Sequence, residues 1–370
     1  MSIKQVAEEK ICTQLSIEPP KEHTEKIKQA ILSGDHSKAT KLRAAFFRTK
    51  QWNPTDTLNV VFDNLNPVIG TNIIITPRSN MDTTNGPIDP LQTKFLEEGN
   101  SINIPEAIEQ IVQERLAPLV GVKIKFRENP TDPGNSPLRK WDGEYHENEI
   151  VISFIIDKGA CSYVGNDINN EDTPRPTMNL GWFDVSTVIH EFCHVLGMVH
   201  EHQNPYGVKI DWNLPKLYQW TEDTQQWDKE ETNTQIVDKY NQSDINGSSF
   251  DPCSVMLYFY PADLTNNDVG TNQNLRLSPV DMTWLAQQYP GGDFNGHNSV
   301  EEFYLSIYSD ENSDSFDDKM LKCKNMATKF GDPQPIEQNT PPVGFFNRTN
   351  SIIGILLILL VLIITVLLFK

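Results

Sequence analysis

Basic residues are in short supply in this chain. Its 31 lysines and arginines face 50 aspartates and glutamates, for a formal charge of −19 over 370 residues. A surface of that sign repels phosphate, which excludes nucleic-acid binding driven by charge. Cysteine is scarce as well, with five in the whole chain, at Cys12, Cys161, Cys193, Cys253 and Cys323. An odd set with no CxxC pair argues against a disulfide framework and predicts mostly free thiols in a reducing compartment. Residues 1–30 are polar and charged and lack the apolar core of a secretory signal. No internal repeat is found, which excludes a repeat array.

What is present is concentrated at residues 190–201, HEFCHVLGMVHE. His190 and His194 stand four apart, so on a helix they project from one face, one turn above the other. Glu191 is rotated by about 100° and can reach a water beside a metal held by the histidines without ligating it. Gly197 is the residue type that most cheaply ends a helix in a left-handed turn, letting the chain reverse and return His200. Three neutral nitrogens and one open position describe a catalytic zinc site, since a structural site is closed by a fourth protein ligand. His202 is a spare imidazole, but the spacing selects His200.

The complete HExxHxxGxxH pattern resembles the metzincin zinc peptidases, and Glu201 directly after His200 makes the chain most similar to their astacin-like branch. Downstream, Ser254-Val255-Met256-Leu257-Tyr258 resembles the Met-turn SxMxY of the same group. The resemblance implies an α+β fold, a twisted mixed sheet with long helices and a zinc cleft between upper and lower parts. It implies one Zn2+ on His190, His194 and His200, Glu191 as general base, and Met256 as an apolar floor. Tyr258 then corresponds to the family's mobile fifth ligand or oxyanion donor. At the position of Glu201 astacins carry a glutamate that receives a freed amino terminus. With no evident cleavage site here, Glu201 is expected instead to hydrogen-bond around the ligands.

Residues 1–50 read as charged helical segments, at 25–32 and 37–47, that form a brace or a pro-segment. The catalytic domain is expected over 51–290. It opens with a strand at Leu58–Phe62 and a second apolar run at Ile73–Ile75, followed by an inserted surface loop over 77–103. A helix from Pro105 carries the apolar stripe Ile108, Ile111, Val112 and Leu116. Strands follow at Val122–Phe126 and Glu149–Ile156, with a polar loop over 128–148 between them. CSYVG at 161–165 and TMNLGW at 177–182 resemble the segments before the zinc helix of astacin-like peptidases, a region that in the family carries the edge strand pairing with substrate; ordinary core packing is the alternative for Met178–Trp182. Asp184 and Ser186 offer caps for the histidine helix. Cys193 is expected to pack as a small apolar residue. Residues 211–245 read as helical, anchored by Trp212, Leu217, Trp220 and Trp227. Ser278-Pro279-Val280-Asp281 has the cap, proline and acidic third position of a last helix.

Residues 291–351 read as an acidic, solvated linker. Beyond it, sixteen of the eighteen residues 352–369 are Ile, Leu, Val or Phe. As a helix this run would extend about 27 Å, close to the thickness of a bilayer's hydrocarbon. The sequence thus predicts a membrane-anchored zinc endopeptidase acting on proteins or peptides. It would be tail-anchored through 352–369 with its catalytic domain cytosolic, on a cellular or viral particle membrane. The rival reading is an inactive zinc-binding membrane protein used for attachment or assembly.

Overall fold

The structure, a computed structural model, describes residues 13–15, 50–67, 88–98, 102–129, 136–240, 245, 250–308 and 315–330. The chain divides into two units, Met1–Gln334 and Pro335–Lys370, and only the first contains described residues. The expected helices at 25–32 and 37–47, the run at 73–75, Cys12 and the apolar run 352–369 lie outside them. Among the described residues no helix is long and apolar enough to cross a membrane.

Six strands make one mixed sheet: β1 (Thr13–Leu15), β2 (Thr57–Phe62), β3 (Lys123–Lys125), β4 (Glu149–Ser153), β5 (Ala160–Tyr163) and β6 (Met178–Leu180). Their spatial order is β1-β5-β6-β4-β2-β3. β4 lies inside the sheet, parallel to both β2 and β6, and all five of its residues are buried. A strand covered on both faces reads as continuously apolar, which Ile150-Val151-Ile152 does. β5 runs antiparallel to β6, and β1 adds to its far side in parallel. Within the N-terminal region expected to be helical, then, residues 13–15 are extended.

Helix α1 (Pro90–Glu98) corrects the expectation of a surface loop over 77–103. Its Leu91 and Phe95 are buried, and Phe95 meets Phe183 at 5.8 Å. Leu91, Phe95 and the exposed Leu96 among polar residues give too weak a period to stand out beside the Pro- and Gly-rich tract before them. Helix α2 (Ile104–Arg115) follows the expected stripe, with Ile108, Ile111, Val112 and Leu116 all buried. It packs on α3 (Val185–Val195), the histidine helix, which in turn lies against β5. The sheet, α2 and α3 thus share one core, bridged by the Phe126–Phe192 ring contact at 6.1 Å.

A second, smaller core gathers Leu217, Ile236, Tyr258, Tyr260 and Leu264, with Trp212, Trp220 and Trp227 packed against it. It is built by α4 (Leu214–Gln225), α5 (Lys229–Thr232) and a π-helical turn over Asn233–Val237. The tryptophans are therefore packing residues, as expected.

After α6 (Pro279–Gln288) the acidic tract does not remain a tether. It forms α7 (Val300–Ile307) and α8 (Phe316–Ala327), and Phe303, Tyr304, Tyr308 and Phe316 enter the main core. The acids mask these helices because several serve as caps: Ser315 and Asp318 make a reciprocal capping box at α8. Helix α8 also brings Cys323 to Cys253, and the two form a disulfide across 70 residues of sequence. That pair corrects the expectation of mostly free thiols, while Cys161 and Cys193 are buried and outside the disulfide.

Candidate metal centre

Helix α3 is fastened at both ends, which fixes where its histidines point. At the start, the Asp184 carboxylate accepts from Thr187 N at 2.7 Å, and Gln92 of α1 accepts from Val185 N at 2.7 Å. Ser186 does not cap the helix but donates to Asp184. At the end, the carbonyls of Val195 and Leu196 accept from Trp52 Nε1 and the Tyr289 hydroxyl at 2.7 and 2.8 Å. Both ends thereby gain partners that a helix terminus otherwise lacks. Gly197 then adopts φ +87°, the left-handed turn expected of it, and the chain doubles back to His200.

The ligand atoms of His190, His194 and His200 lie within 4.8 Å of one another, and all three residues are buried. His190 Nδ1 is 2.9 Å from Val255 O and His194 Nδ1 is 2.9 Å from Met198 O. A carbonyl can only accept, so both Nδ1 atoms carry the proton and both Nε2 lone pairs are available. His190 Nε2 is buried with no hydrogen-bond partner, and His194 Nε2 faces His200 Nε2 at 3.0 Å. Converging nitrogen lone pairs in a buried site are costly unless a cation sits among them. The residues therefore fit a zinc ion.

Electrostatics agree with that fit. Burial pushes His190 down to about 4, outweighing the opposing hydrogen bond to Val255. Burial likewise lowers His194 and His200, with the neighbouring imidazoles adding to the effect. All three are neutral near pH 7, the form in which imidazole binds metal. Glu191 is fully buried on the same helix, beside the ligands. Cys193 is fully buried and its thiol is pushed well up by burial, so it packs as an inert apolar residue.

The Met-turn closes the site from below. Met256 is fully buried in the main core, whereas Tyr258 belongs to the second, so the site lies on the seam between them. The Tyr258 ring is 4.2 Å from that of His200 and 6.1 Å from that of His190. The main-chain N–H of Glu201 donates to Met256 O at 3.0 Å. Its side-chain Oε1 accepts from Asp251 N and Asn204 Nδ2, each at 2.9 Å. Glu201 thus laces the histidine loop to the Met-turn.

Asp281 has a role that its helix-start pattern does not disclose. Besides capping α6, it accepts from Ser254 Oγ at 2.6 Å and Val255 N at 2.9 Å, anchoring the Met-turn. The signal is a carboxylate placed to cap a helix while fully buried, which only tertiary packing reveals. His202 is not among the clustered nitrogens; its Nε2 is 3.0 Å from Gln235 O. Asp251, Cys253 and Cys323 also cluster, but the two sulfurs are bonded to each other.

Residues 139–275 match the family model described as Astacin, a peptidase family. Two solved structures of myroilysin are similar to the chain. One is 24% identical with a TM-score of 0.46, covering 66% of this chain and 98% of that one. The other is 23% identical with a TM-score of 0.37, covering 66% and 87%. No curated protein matches the sequence. The family match spans the histidine helix, the returning loop and the Met-turn, so this segment is similar to the astacin peptidases and, with the three clustered histidines, supports a zinc metallopeptidase.

Proposed function

We propose that the protein is a membrane-tethered endopeptidase in which His190, His194 and His200 hold zinc and Glu191 is the general base. The observation that carries this reading is the convergence of three buried, neutral imidazoles beside a buried carboxylate. Zinc bound there would polarise a peptide carbonyl and acidify a water toward a pKa of about 7. Glu191 takes a proton at its carboxylate and returns it to the leaving amine. Tyr258, beside His200, donates its hydroxyl to the developing oxyanion. Met256 fills the floor without touching substrate. Cleavage of casein that is abolished by a chelator and restored by zinc supports the reading; a chelator-insensitive cleavage overturns it.

A second reading, that the N-terminal region keeps the enzyme latent, is favoured by one observation. β1 pairs with β5, whose far edge would otherwise be open to an extended peptide. On this reading residues 13–15 occupy the place of substrate. Assay of the full chain beside a form starting at residue 50 tests it, with higher activity expected in the shorter form.

The apolar run 352–369 is the proposed tether. Cytosolic placement of the domain draws partly on free thiols, and the Cys253–Cys323 disulfide removes that support. The acceptor sites at Asn241, Asn246 and Asn347 decide the matter. After expression in a eukaryotic cell, glycosidase treatment leaves the mobility unchanged if the domain is cytosolic and shifts it if lumenal.

A further inference from the structure

His202 lies two residues beyond the last metal ligand and is almost fully buried, at 2% exposure. Its Nε2–H donates to Gln235 O, a carbonyl presented by the π-helical turn over Asn233–Val237. The neighbouring Gln203 grips the same turn, donating to Thr234 O at 2.8 Å and Asp238 O at 3.0 Å. π-Helical turns are rare and recur at functional sites. Here the turn fixes the plane of the His202 ring, and that plane matters for what the ring touches. Tyr258 packs against two imidazoles, its ring centroid 4.2 Å from His200 and 4.7 Å from His202, and those two rings stack on each other at 5.3 Å. Behind His202, Tyr260 closes edge-on at 5.5 Å, backed by Trp212 at 4.7 Å.

The other ring nitrogen of His202, Nδ1, is buried with no hydrogen-bond partner. The arrangement gives the helical brace of α4, α5 and the π turn a route to the site: turn, His202, Tyr258. Tyr258 is the one proposed reacting group carried on the Met-turn, so its ring must be held while its hydroxyl serves substrate.

We infer that His202 is a positioning residue for Tyr258, its imidazole stacked on His200 and packed beside the phenol ring, which the pair holds in place. The inference rests on the proposed role of Tyr258 in the reaction. It makes the helical brace, which shares a core with Tyr258, part of the catalytic apparatus.

The test is a double-mutant cycle on the zinc-loaded chain in the form that cleaves casein, with a fluorogenic peptide built on a preferred casein site. His202→Gln keeps an amide N–H for Gln235 O but removes the ring. It should lower kcat about tenfold with KM within twofold, and should have little further effect when Tyr258→Phe is already present. His202→Phe restores a flat ring and should recover most of kcat. Equal losses for His202→Gln with and without Tyr258→Phe would mean that it acts through general folding, which overturns the inference, as would wild-type kcat in His202→Gln. Wild-type kcat in Tyr258→Phe instead overturns the role of Tyr258, and the inference with it. Should His202→Phe fail to fold, judged by zinc content and circular dichroism, the cycle with His202→Gln still decides.

Discussion

Gln92 accepts a hydrogen bond from the main-chain N–H of Val185 at 2.7 Å, across 93 residues of sequence. The first turn of the histidine helix is thereby capped by a side chain from α1, a helix in a region expected to be loop. Gln92→Ala leaves that buried N–H without a partner, which costs about 1–3 kcal/mol. Denaturant unfolding should show a lower midpoint with an unchanged slope. An unchanged midpoint would mean that water replaces the cap.

Glu191→Gln should retain zinc and fold but lose peptidase activity. The amide is nearly isosteric yet cannot accept the proton, and general base catalysis is typically worth about 10²–10⁴-fold. Casein cleavage at the wild-type rate, with zinc content equal, would remove Glu191 from the mechanism.

The Cys253–Cys323 disulfide ties α8 to the segment that precedes the Met-turn. Closing a loop over 70 residues restricts the unfolded chain by about 4 kcal/mol on the chain-entropy account. Cys323→Ser should therefore lower stability by about 2–4 kcal/mol in chemical denaturation. A fragment ending at residue 290, which lacks α7, α8 and this bond, should be less stable than one ending at 330. Equal stability of the two fragments would reduce the C-terminal helices to an appendage.

The carboxyls at the Met-turn make stability depend on pH. Burial, and then the charge of Asp281, push Asp251 from 3.8 up to about 7. Burial also raises Asp281 itself and, strongly, Glu201. Between pH 3.8 and about 7 the folded protein holds a proton at Asp251 that the unfolded chain releases. That stability is fully present below 3.8 and is lost as pH rises through about 7. Thermal unfolding from pH 4 to 7 should show a falling midpoint in the wild type, levelling above about 7, and a flatter profile in Asp251→Asn. Parallel profiles would place the titration elsewhere.

How much can be read beforehand follows from how local each feature is. The histidine spacing, the left-handed Gly197, the capping box at Ser278 and Asp281, and the apolar stripe of α2 are all set within a dozen residues. Each is legible in the sequence, and each is found. Helix α1 escapes such a reading because its two core residues, Leu91 and Phe95, declare themselves only against Phe183 and the rest of the core. The helices at 300–307 and 316–327 are hidden by acidic composition, although Phe303, Tyr304 and Tyr308 carry the apolar signal. The grip of Asp281 on Ser254 and Val255, and of the π turn on His202, depends on long-range packing that no local window contains.

The central claim is that His190, His194 and His200 converge to hold one zinc ion. Elemental analysis of the purified chain, beside a His190→Ala, His194→Ala double variant of the same fold by circular dichroism, tests it most directly. The account predicts one zinc per chain in the wild type and background metal in the variant. Zinc retained at the wild-type level in the double variant would contradict it.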